Sequence, residues 1–319
     1  MTKLSIIVPI YNVEQYLEKC LKSLKQQSYQ DFKVLMINDG SLDNCQQIIE
    51  RYEKIDYRFK GYSKENGGLS SARNYGLQYV DTEYVMFIDS DDFCETNMVK
   101  ECLNNMEQNH LDIFVFAYNQ YCQANNHKET IDLGIKDGIY NLKNDPSILA
   151  YTPNAVWNKI YKTSLFNEIK YPLGYRHQDL GTTAKLLFLS ERIGYSNKPL
   201  YNYLADRPNN ITSKVDDKIY HIIDMAQEIL EYYKNNLIFD QYYDELNYLC
   251  ELNIIQSLRK VMNNTNSKFV NKFIDDVFIF KKKYFKRKNN KYQFNEKHDY
   301  IYMNKLLLKL YYFKKCYLR

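Results

Sequence analysis

Five apolar residues, Tyr84-Val85-Met86-Phe87-Ile88, run without interruption from Glu83 into an acidic cluster at Asp89, Asp91 and Asp92. A short continuous run of this kind reads as a strand buried on both faces, as in a parallel sheet. Similar runs at 4–8, 33–37, 58–62 and 112–118 predict four more strands. Helical spacing fills the intervals. Tyr16, Cys20, Leu21 and Leu24 recur on one face, with Asn12 and Gln15 placed like a capping box before them. Ser41 is positioned to cap a helix reaching 52, a glycine loop at 66–68 leads into a helix over 70–79, and another helix is expected over 97–109. Strands alternating with helices predict an α/β fold, a mostly parallel, Rossmann-like sheet with helices on its faces.

The pattern weakens in the middle of the chain. Residues 119–155 are polar and turn-rich, with a faint strand signal at 138–140, and suit insertions around a site. Residues 155–161 read as a strand or extended segment, and 194–204 as a further strand. Leu180, Ala184, Leu187 and Phe188 predict a helix over 179–192, with Gln178 or Asp179 at its N-terminal end. From about residue 216 strand signals vanish, and Ile219, Ile222, Ile223, Ala226 and Leu230 follow a helical period. A boundary near Lys214 divides the chain into a domain of residues 1–215 and a helical C-terminal domain of residues 216–319, through which a homo-oligomer can form. The last part carries the basic run Lys281 to Lys288 and an apolar helix over 301–313 bordered by Lys305, Lys309, Lys314 and Lys315. Such a helix suits peripheral contact with an anionic membrane, or a solvated basic face packed on its neighbours.

Composition narrows the function classes. A net charge of +4 on 319 residues does not point to nucleic acid. The seven cysteines show no zinc or disulfide spacing, which suits a reducing compartment. The N-terminus enters a strand with no basic leader, and no apolar stretch approaches the roughly 20 residues of a membrane span. The expected location is the cytoplasm, with the inner face of the membrane within reach.

The chemistry gathers at strand ends. Open α/β sheets bind ligands outside the carboxyl ends of their strands, where this chain delivers Pro9 to Asn12, Asp39, the 66–74 loop and the acids at 89–92. Three carboxylates within four positions repel one another unless a cation joins them, and oxygen donors suit Mn2+ or Mg2+. The same acids also suit a solvated turn, with Asp91 or Asp92 capping the next helix. Tyr11 can stack on a planar base, Asp39 can accept an imide N–H, and Arg73 near a helix start can meet a diphosphate. Alone, each is more often a packing, turn or ion-pair residue; their convergence on one sheet edge is what favours a site. No Gly-x-Gly-x-x-Gly follows any strand, against a dinucleotide oxidoreductase, and no glycine-rich phosphate loop follows the first strand, against a nucleotidyltransferase.

Ser5-Ile6-Ile7-Val8-Pro9-Ile10-Tyr11-Asn12-Val13, Asn38-Asp39-Gly40-Ser41, Asn66-Gly67-Gly68-Leu69-Ser70-Ser71-Ala72-Arg73-Asn74 and Phe87-Ile88-Asp89-Ser90-Asp91-Asp92 closely resemble the family-2 glycosyltransferases, enzymes of the GT-A fold that use nucleotide-diphospho-sugars. Weaker resemblance continues through Trp157-Asn158-Lys159-Ile160-Tyr161, Gln178-Asp179, Tyr201-Asn202-Tyr203 and Arg207, and stops near residue 215. The resemblance implies a metal-dependent, inverting transferase moving a hexosyl or N-acetylhexosaminyl group from a UDP-sugar to a glycan or polyol-phosphate acceptor. It implies an Asp-x-Asp motif at Asp89 and Asp91, with Asp92 able to join or replace Asp91 at the cation, and Asp179 as the base. The family's Glu-Asp pair is Gln178-Asp179 here. Pro9, Tyr11, Asp39, Asn66, Arg73, Asp89, Ser90, Trp157, His177, Gln178 and Arg207 are the expected substrate contacts. The rival expectation is a catalytically silent sugar-nucleotide sensor or assembly subunit.

Overall fold

The computed structural model describes residues 2–207, 215–286, 290–292, 302 and 304–317, with side chains to 315. The boundary expected at Lys214, and Arg287, Lys288 and Ile301 of the basic C-terminal stretch, lie outside the described residues. The chain divides into two compact units, Met1–Pro208 and Asn209–Arg319.

The first unit is built on one sheet. Its strands are β1 (Leu4–Ile10), β2 (Lys33–Asn38), β3 (Phe59–Ser63), β4 (Tyr84–Phe87), β5 (Phe93–Cys94), β6 (Ile113–Cys122), β7 (His127–Ile131), β8 (Gly138–Tyr140), β9 (Lys159–Lys162) and β10 (Ile193–Leu204). They run in the order β3-β2-β1-β4-β9-β6-β10-β5, with β7 added to β6 and β8 to β10. All seven residues of β1 and all four of β4 are buried, as continuous apolar strands require. The block β3-β2-β1-β4 is parallel, so the carboxyl ends of its strands share one edge. Antiparallel β9 joins it to the parallel pair of β6 and β10. The first unit's helices are α1 (Glu14–Lys25), α2 (Cys45–Ile55), α3 (Leu69–Leu77), α4 (Met98–Gln108), α5 (Ser147–Tyr151) and α6 (Gln178–Leu189).

The departures from the sequence pattern have local causes. β7 lies in a stretch read as turns because four of its five residues are exposed, leaving no apolar alternation to see. β5 is two residues long and hidden behind the acidic cluster. Helix α6 stops at Leu189, short of the expected 192, because the Asp112 carboxylate accepts from the amides of Glu191 and Arg192 (2.8 and 3.0 Å) just ahead of β10. Asn12 does not cap α1. It sits at a φ of 50° and its Oδ1 accepts from the Leu42 amide. The Glu14 amide instead donates to Asp43, while Glu14 Oε2 accepts from the Asn44 amide, so two neighbouring helix starts cap each other.

The second unit contains α7 (His221–Asn235), α8 (Tyr243–Val261), α9 (Ser267–Tyr284) and α10 (Lys305–Tyr317), and no strand among its described residues. Its own core includes Ile222, Leu230, Leu246, Leu258, Phe273 and Ile274.

Candidate active site

The site begins where β2 ends. The Asp39 amide donates to the carbonyl of Ile10, tying the ends of β1 and β2 together and setting Tyr11, half exposed, beside them. The Asp39 carboxylate is buried and accepts from the Gly67 and Gly68 amides (3.1 and 2.7 Å) and from Lys64 Nζ (2.7 Å). Asn66 Nδ2 donates to the Asp39 carbonyl at 2.9 Å. An anion thus sits at the N-terminus of α3, where free amides and the helix dipole favour one. Gly68 caps that helix at a φ of 84°, and a Cβ at Gly67 would meet Ser71 Oγ at 2.5 Å. Glycine is required there for the loop to fold back on Asp39.

One turn into α3 lies Arg73, with 0% of its surface exposed. Its Nη1 donates to Asp179 Oδ1 at 2.5 Å and its Nη2 to Asp89 Oδ1 at 2.9 Å, while Tyr171 lies under the guanidinium, 5.3 Å away. That leaves no exposed surface with which Arg73 could meet a diphosphate, the contact expected of it. It is a buried fork holding together two carboxylates that are 90 positions apart in the chain. Burial pushes the Asp89 pKa up to about 6 against the pull of Arg73, and the charges of Asp91 and Asp179 add to the rise. Next to Arg73, the Asn74 side chain accepts from the Tyr171 amide and donates to the Tyr171 carbonyl (3.0 and 2.8 Å), fixing the segment that leads into α6.

The three acids of the cluster have different surroundings. Asp91 Oδ2 accepts from Arg207 Nη1 at 2.5 Å, both partners partly exposed, and the Arg207 guanidinium lies over the Tyr16 ring. Asp92 is only 1% exposed. Its Oδ2 accepts from Tyr201 Oη and its Oδ1 from the Leu204 amide, both at 2.7 Å. Burial, then the charges of Asp91 and Asp89, hold its pKa well above the usual carboxylate range. With both oxygens turned into the protein, Asp92 does not fit the metal-ligand role expected of it. Among the described residues no group of three or more His, Cys, Asp and Glu side chains is arranged to hold a metal ion. Asp89 and Asp91 nonetheless fit one shared with substrate. Mg2+ in phosphoryl-bearing sites takes one or two carboxylates and completes its shell with phosphate oxygens and water.

The other expected contacts are spread around this centre. Pro9 and Ser90 are buried at the strand ends. Trp157 is a core residue, stacked on Tyr201 and Tyr203 with ring centroids 4.6 and 5.6 Å away. His177 precedes α6 at a φ of 63°, Gln178 is buried in its first turn, and Asp179 keeps a quarter of its side-chain surface. Sequence reasoning missed Lys64, Asn74, Tyr171 and Tyr201. It also missed Lys159, which is fully buried and donates to the carbonyls of Pro153 and Ala155 (both 2.6 Å) and to Asn158 Oδ1 (2.7 Å). Burial pushes Lys159 down to about 7, and the charge of Asp179 partly opposes this. Asn74, Lys159 and Tyr201 stood within motifs already singled out, Lys64 lies two residues ahead of one, and Tyr171 carries no signal in the sequence.

An α/β sheet presenting acids at the carboxyl edge of its parallel strands, joined there by a carboxylate from a later helix, places the chain in the GT-A class of folds. Residues 5–180 match Glycosyl transferase family 2, and the chain belongs to that family. Glycosyltransferase GlyA of Streptococcus pneumoniae is 33% identical over 210 residues, 63% of this chain, which spans only 30% of GlyA. Among solved structures, residues 1–349 of S. aureus TarS in complex with UDP-GlcNAc match with a TM-score of 0.69 at 23% identity, over 88% of this chain and 81% of that one. The mannosyltransferase PcManGT of Pyrobaculum calidifontis, in complex with GDP-Man and Mn2+, matches with a TM-score of 0.53 at 13% identity, over 99% and 88%. At these identities the likeness speaks to the fold.

Proposed function

We propose that this chain is an inverting, divalent-cation-dependent glycosyltransferase that moves a sugar from a UDP-sugar to a hydroxyl of a cell-surface glycan or a teichoic-acid-like polymer. The observation that carries the reading is the Arg73 fork, which holds Asp179 and Asp89 on neighbouring nitrogens of one guanidinium. Sugar transfer needs that pairing, an acid beside the leaving diphosphate and a base beside the incoming alcohol. Asp179 Oδ1 is engaged by Arg73, so its other oxygen takes the acceptor's proton as the hydroxyl attacks the anomeric carbon. Displacement from the face opposite the diphosphate inverts that carbon and needs no covalent enzyme intermediate. Asp89 and Asp91 would hold a divalent cation, which would supply Lewis-acid stabilisation of the leaving diphosphate. Asp39 holds the 64–68 loop against the strand ends, and the uracil is proposed to lie between that loop and Tyr11. The UDP-GlcNAc of the TarS complex supports a uridine nucleotide as donor.

The test is UDP release on a panel of UDP-sugars and acceptors with Mn2+. Release should require both metal and acceptor, and Asp179→Ala should lower the rate by about 10²–10⁴-fold, the usual worth of a general base, while donor binding persists. Binding without turnover across the panel would favour the silent sensor and defeat the proposal.

A further inference from the structure

Helix α10 has two apolar sides, and the described residues of its unit bury one. Leu308 and Tyr312 are buried, and Tyr312 Oη donates to the Asn264 carbonyl at 2.9 Å. Lys305 and Lys309 pin the helix to α9 by pairing with Asp275 at 2.8 and 2.6 Å. Leu306, Leu307, Leu310, Tyr311 and Phe313 are all exposed, Leu306 at 67% and Phe313 at 55%. At 3.6 residues per turn, 306, 310 and 313 form one row with 307 and 311 alongside, so the five make a continuous face. Scattered exposed leucines are ordinary, but an apolar face this dense marks a contact surface.

The charges around the face select its occupant. Lys314 falls within the apolar arc and Lys315 at its margin, and α10 carries four lysines and no Asp or Glu. A soluble polyanion would satisfy the lysines and leave the leucines in water. A second copy would cover the leucines but set the lysines of α10 against themselves. An anionic lipid surface meets both demands, with apolar side chains at the acyl boundary and ammonium groups raised among the phosphates. No described helix is long and apolar enough to cross a membrane, so α10 would lie in the plane of the surface.

We infer that the exposed face of α10 seats this protein on an anionic membrane surface. The test is flotation of the full chain with vesicles of phosphatidylcholine alone or mixed with phosphatidylglycerol. The chain should float with the mixed vesicles only, with binding falling roughly tenfold from low to high salt as the lysines are screened. Replacing Leu306, Leu307 and Leu310 together by Ser should abolish flotation while the melting temperature and the UDP-release rate on a soluble acceptor stay unchanged. Lys314→Glu, which touches no packed side of the helix, should weaken binding to the mixed vesicles. Equal flotation of the triple variant, or none by the wild type, overturns the inference. So does concentration-dependent dimerisation lost in the triple variant, which would assign the face to a second copy. Flotation, the melting temperature and dimerisation do not depend on which sugar is transferred.

Discussion

A guanidinium without exposed surface, forked between two carboxylates, is held by its partners as firmly as it holds them. Arg73 gives one terminal nitrogen to Asp179 and the other to Asp89, and Asp89 and Asp179 would repel each other without it. A lysine carries the same charge as a single point on a flexible stem and cannot bridge both acids. Arg73→Lys should therefore lose about 3 kcal/mol of stability, as breaking a buried ion pair does. It should also lose most of its turnover, because Asp179 is no longer fixed. Urea denaturation reads the first effect and UDP release the second. A variant that kept full activity would show that the fork does not set the geometry of the site.

Individual elements decide how well that residue is aimed. Helix α3 carries Arg73 and lies so close to the sheet that a Cβ at Gly76 would stand 2.7 Å from Ile7 Cγ2 and 3.2 Å from Ile37 Cγ1. Gly76→Ala should lift the helix, costing about 1–3 kcal/mol as overpacking does, and lower activity although residue 76 touches neither acid; urea denaturation and UDP release measure the two. The turn between α2 and β3 is fixed by a buried pair, with Arg58 Nε and Nη2 donating to the two oxygens of Asp56 at 3.0 and 2.7 Å. Hydrogen bonds from Arg58, chief among the causes, hold the Asp56 pKa below its usual 3.8. The unfolded chain thus binds this proton more readily than the folded one. The pair's contribution is complete above the unfolded value and disappears as pH falls through the folded value. Asp56→Asn should cost about 3 kcal/mol at pH 7, and the gap should close below pH 3.8 in urea titrations of both proteins. Elements were legible in the sequence where burial is two-sided. The runs of β1, β2 and β4 announce themselves, whereas the exposed edge strand β7 has no apolar period to read.

At the scale of the whole molecule, the site is assembled from positions 39, 73, 89 and 179, and contacts of that range explain what the sequence could not disclose. The acids at 89–92 were plain, but their separate roles depend on residues more than a hundred positions later. Tyr201 and the Leu204 amide turn Asp92 inward, and Arg207 pairs with Asp91. Sequence spacing treats the two acids alike; the tertiary fold does not. A ligand that joins such distant segments stabilises the folded state by mass action, about 2.7 kcal/mol at a hundredfold excess over its dissociation constant. UDP with Mn2+ should accordingly raise the melting temperature of the full chain, and EDTA should remove the increment due to metal. Asp91→Asn should lose that same increment, because a neutral amide is a poor ligand for a hard cation. Asp92→Asn should keep it, since an amide can still accept from the Leu204 N–H and meet Tyr201 Oη within the protein. If Asp92→Asn loses the metal increment and Asp91→Asn retains it, the assignment of the two acids is reversed, and Asp92 must turn outward when the nucleotide binds.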